Sequence, residues 1–355
     1  MPQMNDTRIA RILQEIKSLL IILVIALSLR ATIIEAYIVP TGSMENTIMT
    51  GDFLIGNKFV YGMRTPEWIG IPYTELGFYV PWTRFPKFKK PHRGDVVIFK
   101  YPRDHFQKYV KRCVAEPGQT ITVRGKKVWI DNQEFELPEH GKLIDRSILK
   151  KGLKQPGIFL REDWNRDNFG PIKLPAVGDE VAINKDTNWD YLLPLILMDG
   201  HEVTLKGNGI SGEFSFTMKD ANDIARRYAS GLGGWLHGIF SSEPYRPNKV
   251  GRLYSKYYNQ SNPDGELLNV WNFRFTDEAL NYLWIDGDPM NSIPSYVVEQ
   301  NYYWMMGDNR DDSADSRYWG FVPEEFILGE AVVVYMSWGF NGEGPRFNRV
   351  GKIIS

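Results

Sequence analysis

The chain has 355 residues, 43% hydrophobic and 24% charged, with a formal net charge of −1 at pH 7; this is the composition of a globular protein long enough for about two domains. A nearly neutral chain has no basic surface field, so we expect no nucleic-acid partner. Its one cysteine excludes an internal disulfide, and its five histidines are scattered, so we expect neither a metal site nor a cofactor.

The first 38 residues predict a membrane anchor. Residues 1–17 are polar, residues 18–29 are almost all apolar, and a second apolar patch follows Arg30. Together the apolar stretches reach the length of about 20 residues that spans a bilayer. We therefore expect a cytoplasmic N-terminus over 1–17 and a single transmembrane signal anchor over 18–38. Because basic residues precede the anchor, the remainder should lie on the outer, periplasmic face of the cytoplasmic membrane.

Two other interpretations of this segment fit less well. A cleaved signal peptide needs small residues at a cleavage site after the apolar run, and Ala31, Thr32 and Ile33 match that pattern poorly. A buried core helix next to solvent would be apolar on one face rather than on every side.

The rest of the chain predicts a mainly β, antiparallel ectodomain. Runs rich in β-branched and aromatic residues and bounded by glycine or proline predict strands, and they cover residues 51–62, 93–102, 109–115, 120–123, 127–130, 302–306 and 330–336. Residues 136–300 are rich in loops, with short strands and a predicted helix over 219–230. We therefore expect a β domain in two parts, 39–135 and 301–355, separated by an inserted α+β lobe over 136–300.

Membrane lipid is a second expected contact of the ectodomain. Residues 82–90 mix Trp82, Phe85 and Phe88 with basic side chains, a composition typical of a surface on anionic headgroups. The alternative is a hairpin whose aromatic side chains pack on the β domain.

Ser43 lies in a Gly-Ser turn a few residues after the anchor. Most such turns are ordinary, but this one is also placed for a nucleophile that works at a membrane surface. A nucleophilic serine needs a base, and no histidine stands in a context that marks it as the partner. Lys111 alternates within a predicted strand and can point inward, where burial lowers its pKa. The alternative is an exposed strand lysine.

Residues 307–323 form the most distinctive string of the chain. Asp308 and Asp315 alternate there with Arg310 and Arg317 around Ser313. A calcium loop would not carry these arginines and would have another spacing. We interpret the string as a structural clamp whose ion pairs hold the Ser313 hydroxyl in place.

Taken together, these strings resemble bacterial type I signal peptidase, a membrane-bound serine-lysine leader peptidase. The resemblance rests on residues 40–44 after the anchor, 51–53, 93–102, 109–112 before Pro117 and Gly118, and 307–323, in the family's order. It covers residues 15–125 and 300–355, and the middle is only loosely similar.

The resemblance implies a role for each matching residue. Ser43 would be the nucleophile of an endopeptidase, Lys111 its general base, and Ser313 the residue that hydrogen-bonds and orients Lys111. The oxyanion would be held by the Ser43 backbone N–H and the Thr41 hydroxyl, where many members have serine. A second departure is Asn46, where the family usually has proline. The structural charges around the site would be Arg112, Asp308, Asp315 and Arg317.

The substrate implied by the resemblance is an exported preprotein, cut through an acyl-enzyme after small residues at positions −1 and −3. The −1 pocket would be lined by Met44, Ile48, Tyr109 and Val110. The −3 pocket would be lined by Tyr37, Val39, Leu54 and Ile98, with Val110 shared. Two alternatives stay open: a membrane-anchored serine-lysine protease that acts on itself or on one regulator, and a catalytically dead assembly factor on the same scaffold.

Overall fold

The computed structural model describes residues 3–65, 68–70, 77–79, 83–206, 214–216, 279–339 and 343–354. The predicted helix over 219–230 and Trp82 lie outside these residues. The α-helices are α1 Gln3–Thr32, α2 Trp189–Met198 and α3 Ser316–Trp319, and 3-10 turns cover Phe159–Arg161, Ala279–Asn281, Met290–Ser292, Glu324–Phe326 and Phe347–Arg349.

Strands dominate the structure, which confirms the mainly β prediction. They are β1 Ile34–Ile38, β2 Asp52–Asn57, β3 Trp68–Gly70, β4 Gly77–Tyr79, β5 Val96–Tyr101, β6 Asp104–Ala115, β7 Thr120–Arg124, β8 Lys127–Ile130, β9 Gln133–Phe135, β10 Phe169–Lys173, β11 Glu180–Ala182, β12 Val203–Leu205, β13 Phe214–Phe216, β14 Leu283–Ile285, β15 Asp288–Pro289, β16 Ser295–Val297, β17 Tyr302–Met306, β18 Val322–Pro323, β19 Ile327–Gly339 and β20 Gly344–Pro345.

The N-terminal helix differs from the predicted 18–38 at both ends. It begins at Gln3 and ends at Thr32, and residues up to Ile38 form β1 instead. The reason is packing: Tyr37 is buried and lies opposite Leu54 of β2, so this apolar stretch alternates between two faces as a strand does. On α1 itself, Leu19, Leu20, Ile21, Ile22 and Ile25 are exposed. Within the part of the chain that the structure describes, no helix meets the length and apolarity needed to cross a membrane.

The main sheet runs in the order β1-β2-β19-β5-β6-β17-β18, with β20 paired to β19. Its pairings are all antiparallel, as predicted. In β2 every second residue is buried, the pattern of a strand with one face on the core. This strand is shorter than the predicted 51–62, since the Asn57 side chain accepts from the Phe59 N–H and turns the chain.

A second sheet, in the order β10-β7-β8-β9, contains the predicted hairpin of β7 and β8. Its strand β10 comes from beyond residue 135 and pairs with β7, so the expected lobe boundary at 135 runs through this sheet. The helix α2 also joins the core of the main sheet, where Leu192 and Leu195 share one apolar cluster with Trp304 and Phe99.

The C-terminal segment packs back onto the turn that follows Ser43. Arg349 Nε donates to Asp52 Oδ1 at 2.9 Å, Lys352 Nζ donates to the Asn46 carbonyl at 2.9 Å, and an Arg346 guanidinium nitrogen donates to the Thr50 carbonyl. Three basic side chains from residues 346–352 therefore bind the segment of residues 46–52, which follows Ser43.

Candidate active site

Two side chains from distant parts of the sequence meet at the centre of the site. Ser43, in the turn after β1, and Lys111, on β6, are both buried, at 9% and 5% exposure. Lys111 Nζ lies 2.6 Å from Ser43 Oγ and 3.2 Å from the Val110 carbonyl. A lysine in direct hydrogen-bond contact with a serine can take up the serine proton if it is neutral.

The surroundings of Lys111 favour the neutral form. Burial lowers the pKa of Lys111 from 10.5 to about 8, although the charges of Asp315 and Asp308 act in the opposite direction. Neither carboxylate pairs with the lysine, because each is bound by an arginine. The site therefore keeps a buried amine whose nearest polar partner is the serine.

Asp308 is held by a buried two-pronged ion pair. Arg112 Nε lies 2.8 Å from Asp308 Oδ1, and an Arg112 terminal nitrogen lies 2.7 Å from Oδ2. The Thr47 hydroxyl donates to the same Oδ2 at 2.6 Å, and Arg112 also donates to the Gly94 carbonyl at 2.6 Å. Fork-to-fork contacts of this kind are the strongest that arginine makes with a carboxylate, and this one ties the Ser43 turn to β6.

Asp315 forms the matching pair with Arg317. The two side chains are joined by contacts of 2.8 Å at both carboxylate oxygens. Burial would raise the pKa of Asp315, but the Arg317 charge and hydrogen bonds from Arg317 and the Gly307 N–H lower it. This pair fixes the start of α3, since Asp315 is its N-cap residue.

Asn309, which the sequence analysis did not single out, holds the nucleophile turn directly. Its backbone N–H donates to the Ser43 carbonyl at 3.1 Å, and its side-chain Nδ2 donates to the Gly42 carbonyl at 3.1 Å. The one indication in the sequence was its place within the 307–323 string.

The loop 307–323 approaches Ser43 so closely that only glycine fits at 307. A Cβ on Gly307 would lie 2.3 Å from Ser313 Oγ and 2.4 Å from the Ser43 carbonyl oxygen. Ser313 is buried, but its hydroxyl has no hydrogen-bond partner among the described residues. The expected hydrogen bond from Ser313 to Lys111 is therefore wrong for this structure, because the side chain lies over Gly307.

The two departures from the family pattern have different structural settings. Thr41 is exposed, and its Oγ1 lies 3.5 Å from Ser43 Oγ, so the hydroxyl stays beside the nucleophile. Asn46 adopts a φ of 75°, in the left-handed region that asparagine tolerates. Proline is fixed near −65° and could not take this conformation, so the turn is built differently from one that carries proline.

Most of the predicted pocket residues come together in one apolar cluster. Tyr37, Val39, Met44, Ile48, Leu54 and Ile98 belong to it, and Val110 packs against it. Tyr109 packs on the main core and stacks on Tyr101, and its ring centre lies 5.4 Å from Lys111 Nζ. Its place in the −1 pocket beside Val110 therefore stays a prediction.

Lys142, from the segment predicted as the inserted lobe, also contacts the site, and no sequence pattern indicated it. Its backbone pairs with the 307–323 loop through Asp308 and Arg310, and its Nζ lies 2.8 Å from Glu45 Oε2. At least one residue after 135 therefore contacts both the 307–323 loop and the turn that carries Ser43.

Comparisons with known proteins agree on one family. A family model described as signal peptidase, peptidase S26, matches residues 12–209 and 241–338. A signal peptidase I of Buchnera aphidicola subsp. Acyrthosiphon pisum is 25% identical over 330 residues, covering 92% of this chain and 76% of the relative. One of Pseudomonas fluorescens is 27% identical over 349 residues, covering 95% and 78%. One of Aquifex aeolicus is 25% identical over 327 residues, covering 91% and 84%.

Among solved structures, a signal peptidase I from Enterococcus faecalis V583 matches with 17% identity and a TM-score of 0.22. The match covers 68% of this chain and 97% of that one.

Proposed function

Because the chain belongs to the signal peptidase family, peptidase S26, and is thus a serine endopeptidase that cleaves signal peptides, we propose that Ser43 and Lys111 are its catalytic dyad. The resemblance drawn from the sequence is confirmed at the level of the family. The observation that supports the dyad most directly is the 2.6 Å contact between Lys111 Nζ and Ser43 Oγ inside a buried site.

In the proposed reaction, neutral Lys111 takes the Ser43 proton as Ser43 Oγ attacks the scissile carbonyl. The amine product leaves with a proton returned by Lys111, and an acyl-enzyme remains on Ser43. Lys111 then removes a proton from water, which attacks the ester and releases the cleaved signal peptide.

The proposed oxyanion site consists of the Ser43 N–H and the Thr41 hydroxyl. The 3.5 Å between Thr41 Oγ1 and Ser43 Oγ supports this role, because it keeps the hydroxyl close to the proposed nucleophile. A donor of this type typically contributes about 3–4 kcal/mol to the stability of the transition state. Asn309, Asp308 and Arg112 touch no substrate in this scheme and position the turn that carries Ser43.

The proposed specificity is for small residues at −1 and −3 of an added substrate strand. The first pocket would be lined by Met44, Ile48, Tyr109 and Val110, and the second by Tyr37, Val39, Leu54 and Ile98, with Val110 shared. Support comes from the one apolar cluster that all of them except Tyr109 form or pack against, and from the 5.4 Å between the Tyr109 ring centre and Lys111 Nζ.

We further propose that α1 anchors the enzyme in the cytoplasmic membrane, with its N-terminus in the cytoplasm and the two-part β domain outside. The exposed apolar side chains of α1 support this, and so does the exposed aromatic pair of Phe59 and Phe88, stacked at 4.4 Å. The lipid role of residues 82–90 is supported only in part, since Lys87 and Lys89 form ion pairs with Glu324 and Glu330.

The test is cleavage of a preprotein that carries an Ala-x-Ala site by the purified full-length chain in detergent. We expect one cut after the second alanine, and no cut with Ser43→Ala or with a substrate that has leucine at −1. A chain that cuts only itself would favour the self-processing alternative. A wild-type chain that cuts neither itself nor the preprotein would favour the dead scaffold.

A further inference from the structure

The cleft of the candidate site lies between two strand edges. Among the described residues β1 pairs with β2 alone, and β17 pairs with β6 only from Arg112 to Ala115. The two edges approach each other at Ser43 and Lys111 and again at Glu35 and Lys108, where Glu35 Oε1 lies 2.8 Å from Lys108 Nζ.

Glu35 and Lys108 continue the same face that carries the pocket residues. Side chains two positions apart on a strand point to the same side, so Glu35 lies in line with Tyr37 on β1, and Lys108 lies in line with Val110 on β6. The Glu35–Lys108 contact is therefore the next layer of the cleft, beyond the apolar cluster as seen from Ser43.

This layer contains three charged groups. Glu35 Oε2 lies 3.2 Å from Lys58 Nζ and accepts from the Tyr37 hydroxyl at 2.7 Å. Lys108 Nζ also lies 5.5 Å from the centre of the Tyr37 ring. Burial would raise the pKa of Glu35, but Lys108 and Lys58 lower it to about 2, so the carboxylate stays charged. With one anion and two cations the layer carries a net positive charge.

Lys108 is the member of this layer that a substrate can reach. Its side chain is 39% exposed, against 19% for Glu35 and 11% for Lys58. A partly exposed ammonium at the edge of a cleft can pair with a substrate carboxylate without leaving its own partner.

Building on the proposed function, we propose that Glu35, Lys58 and Lys108 form a charge-selective subsite for the substrate residue at −5. Residues upstream of the cut then run from Ser43 back towards the start of β1, because the proposed −3 pocket contains Tyr37 and Val39, which precede Ser43 in the chain. Tyr37 is assigned to −3, and Glu35 lies two residues earlier on the same face, which corresponds to −5. The subsite favours an acidic residue there and disfavours a basic one.

The experiment uses the full-length chain and three preproteins that differ only at −5, with alanine, glutamate or lysine. For wild type we expect kcat/KM to be about 3- to 5-fold higher for glutamate than for lysine, the size of effect that a partly exposed ion pair gives. Lys108→Glu should reverse the order, and Glu35→Gln should increase the preference for glutamate. The preference should shrink at 0.5 M salt, as screening requires.

Lys127→Glu is the matched control. Lys127 is an exposed lysine of β8 that pairs with Glu134 of β9 in the second sheet, so this variant should keep the wild-type ratio of kcat/KM for the glutamate and lysine substrates. Equal rates for glutamate and lysine in wild type, or an unchanged ratio in Lys108→Glu, would overturn the subsite. If Lys108→Glu cuts none of the substrates, Lys108→Met decides: a ratio near one supports the subsite, and a wild-type ratio contradicts it. A wild-type chain that fails on the alanine substrate would instead overturn the proposed function.

Discussion

Lys108 and Lys111 are three residues apart on β6, but they differ in how the nearby carboxylates are paired. Lys108 Nζ lies 2.8 Å from a carboxylate oxygen of Glu35, which also pairs with Lys58. Lys111 has two carboxylates nearby, but arginines occupy both. The two lysines therefore differ in two respects. Lys111 is buried, which lowers its pKa, whereas the Lys108 side chain is 39% exposed; and the carboxylates near Lys111 pair with Arg112 and Arg317 instead of with the lysine.

The largest expected effect comes from making position 111 permanently charged. Lys111→Arg should lower kcat/KM for an Ala-x-Ala preprotein by about 10³-fold or more, because guanidinium cannot accept the serine proton. Lys108→Arg, the same change three residues away, should retain most of the activity. Similar losses in both variants would remove the distinction between the two lysines.

Releasing Asp308 from Arg112 should give Lys111 a carboxylate partner, as Lys108 has in Glu35. For wild type we expect log kcat/KM to rise with pH and to level off near the Lys111 pKa of about 8, since only the neutral lysine acts as base. In Arg112→Met the released Asp308 should pair with Lys111 and raise its pKa, so the rise of log kcat/KM should move to higher pH. Unpairing a buried charge should also cost about 3–5 kcal/mol of unfolding free energy.

Arg112→Met combined with Asp308→Asn is the control for that prediction. Removing the carboxylate as well should return the rise of log kcat/KM to its wild-type pH range. A rise that stays at higher pH in the double variant would mean that Asp308 does not act through its charge.

Replacing each lysine by methionine should change stability in opposite directions. The folded pKa of Lys111 lies below its unfolded value of 10.5, so the unfolded state binds more protons between about pH 8 and pH 10.5, and wild-type stability rises with pH there. Lys111→Met should therefore stabilise the fold by about 3 kcal/mol at pH 7, and the gain should vanish above about pH 10.5. Lys108→Met should cost less than about 1 kcal/mol. Urea unfolding at pH 7 and pH 10.5 checks both values.

The smallest expected effect is that of Ser313→Ala. Its buried hydroxyl has no hydrogen-bond partner in the described part of the chain, so losing it should leave the free energy of unfolding equal to or slightly above that of wild type. Cleavage should slow but not disappear, if the hydroxyl turns to Lys111 when substrate is bound. A clear loss of stability would mean that Ser313 makes a contact in the resting enzyme.

The sequence indicated Ser43 and Lys111 as candidate nucleophile and base because each lies in a string with its own pattern, and the structure brings the two side chains together. The pocket residues were implied by the resemblance, and all of them except Tyr109 belong to one apolar cluster or pack against it. Tyr109 shares a face of β6 with Lys111, and its ring lies beside the Lys111 amine. Hydropathy could not give the end of α1 at Thr32, because an apolar helix and an apolar strand look alike.

Other parts of the site depend on tertiary contacts that no local pattern carries. Ser313 Oγ lies beside Gly307, where the loop comes close to the Ser43 carbonyl. The contact of Lys142 with Glu45 joins residues far apart in the chain, from a segment with no distinctive motif. Asn309 belongs to a distinctive string of the sequence, but no sequence pattern predicted its hydrogen bonds to the Gly42 and Ser43 carbonyls.

The contacts from the C-terminal segment to the Ser43 turn also set an order in time. Synthesis runs from the N-terminus, so Ser43 and Lys111 are made before Asn309 and Arg349. Until those two residues have been made, the Gly42 and Ser43 carbonyls lack their contacts with Asn309, and Asp52 lacks its contact with Arg349. A nascent chain that already contains both members of the proposed dyad therefore still lacks the contacts that position the Ser43 turn.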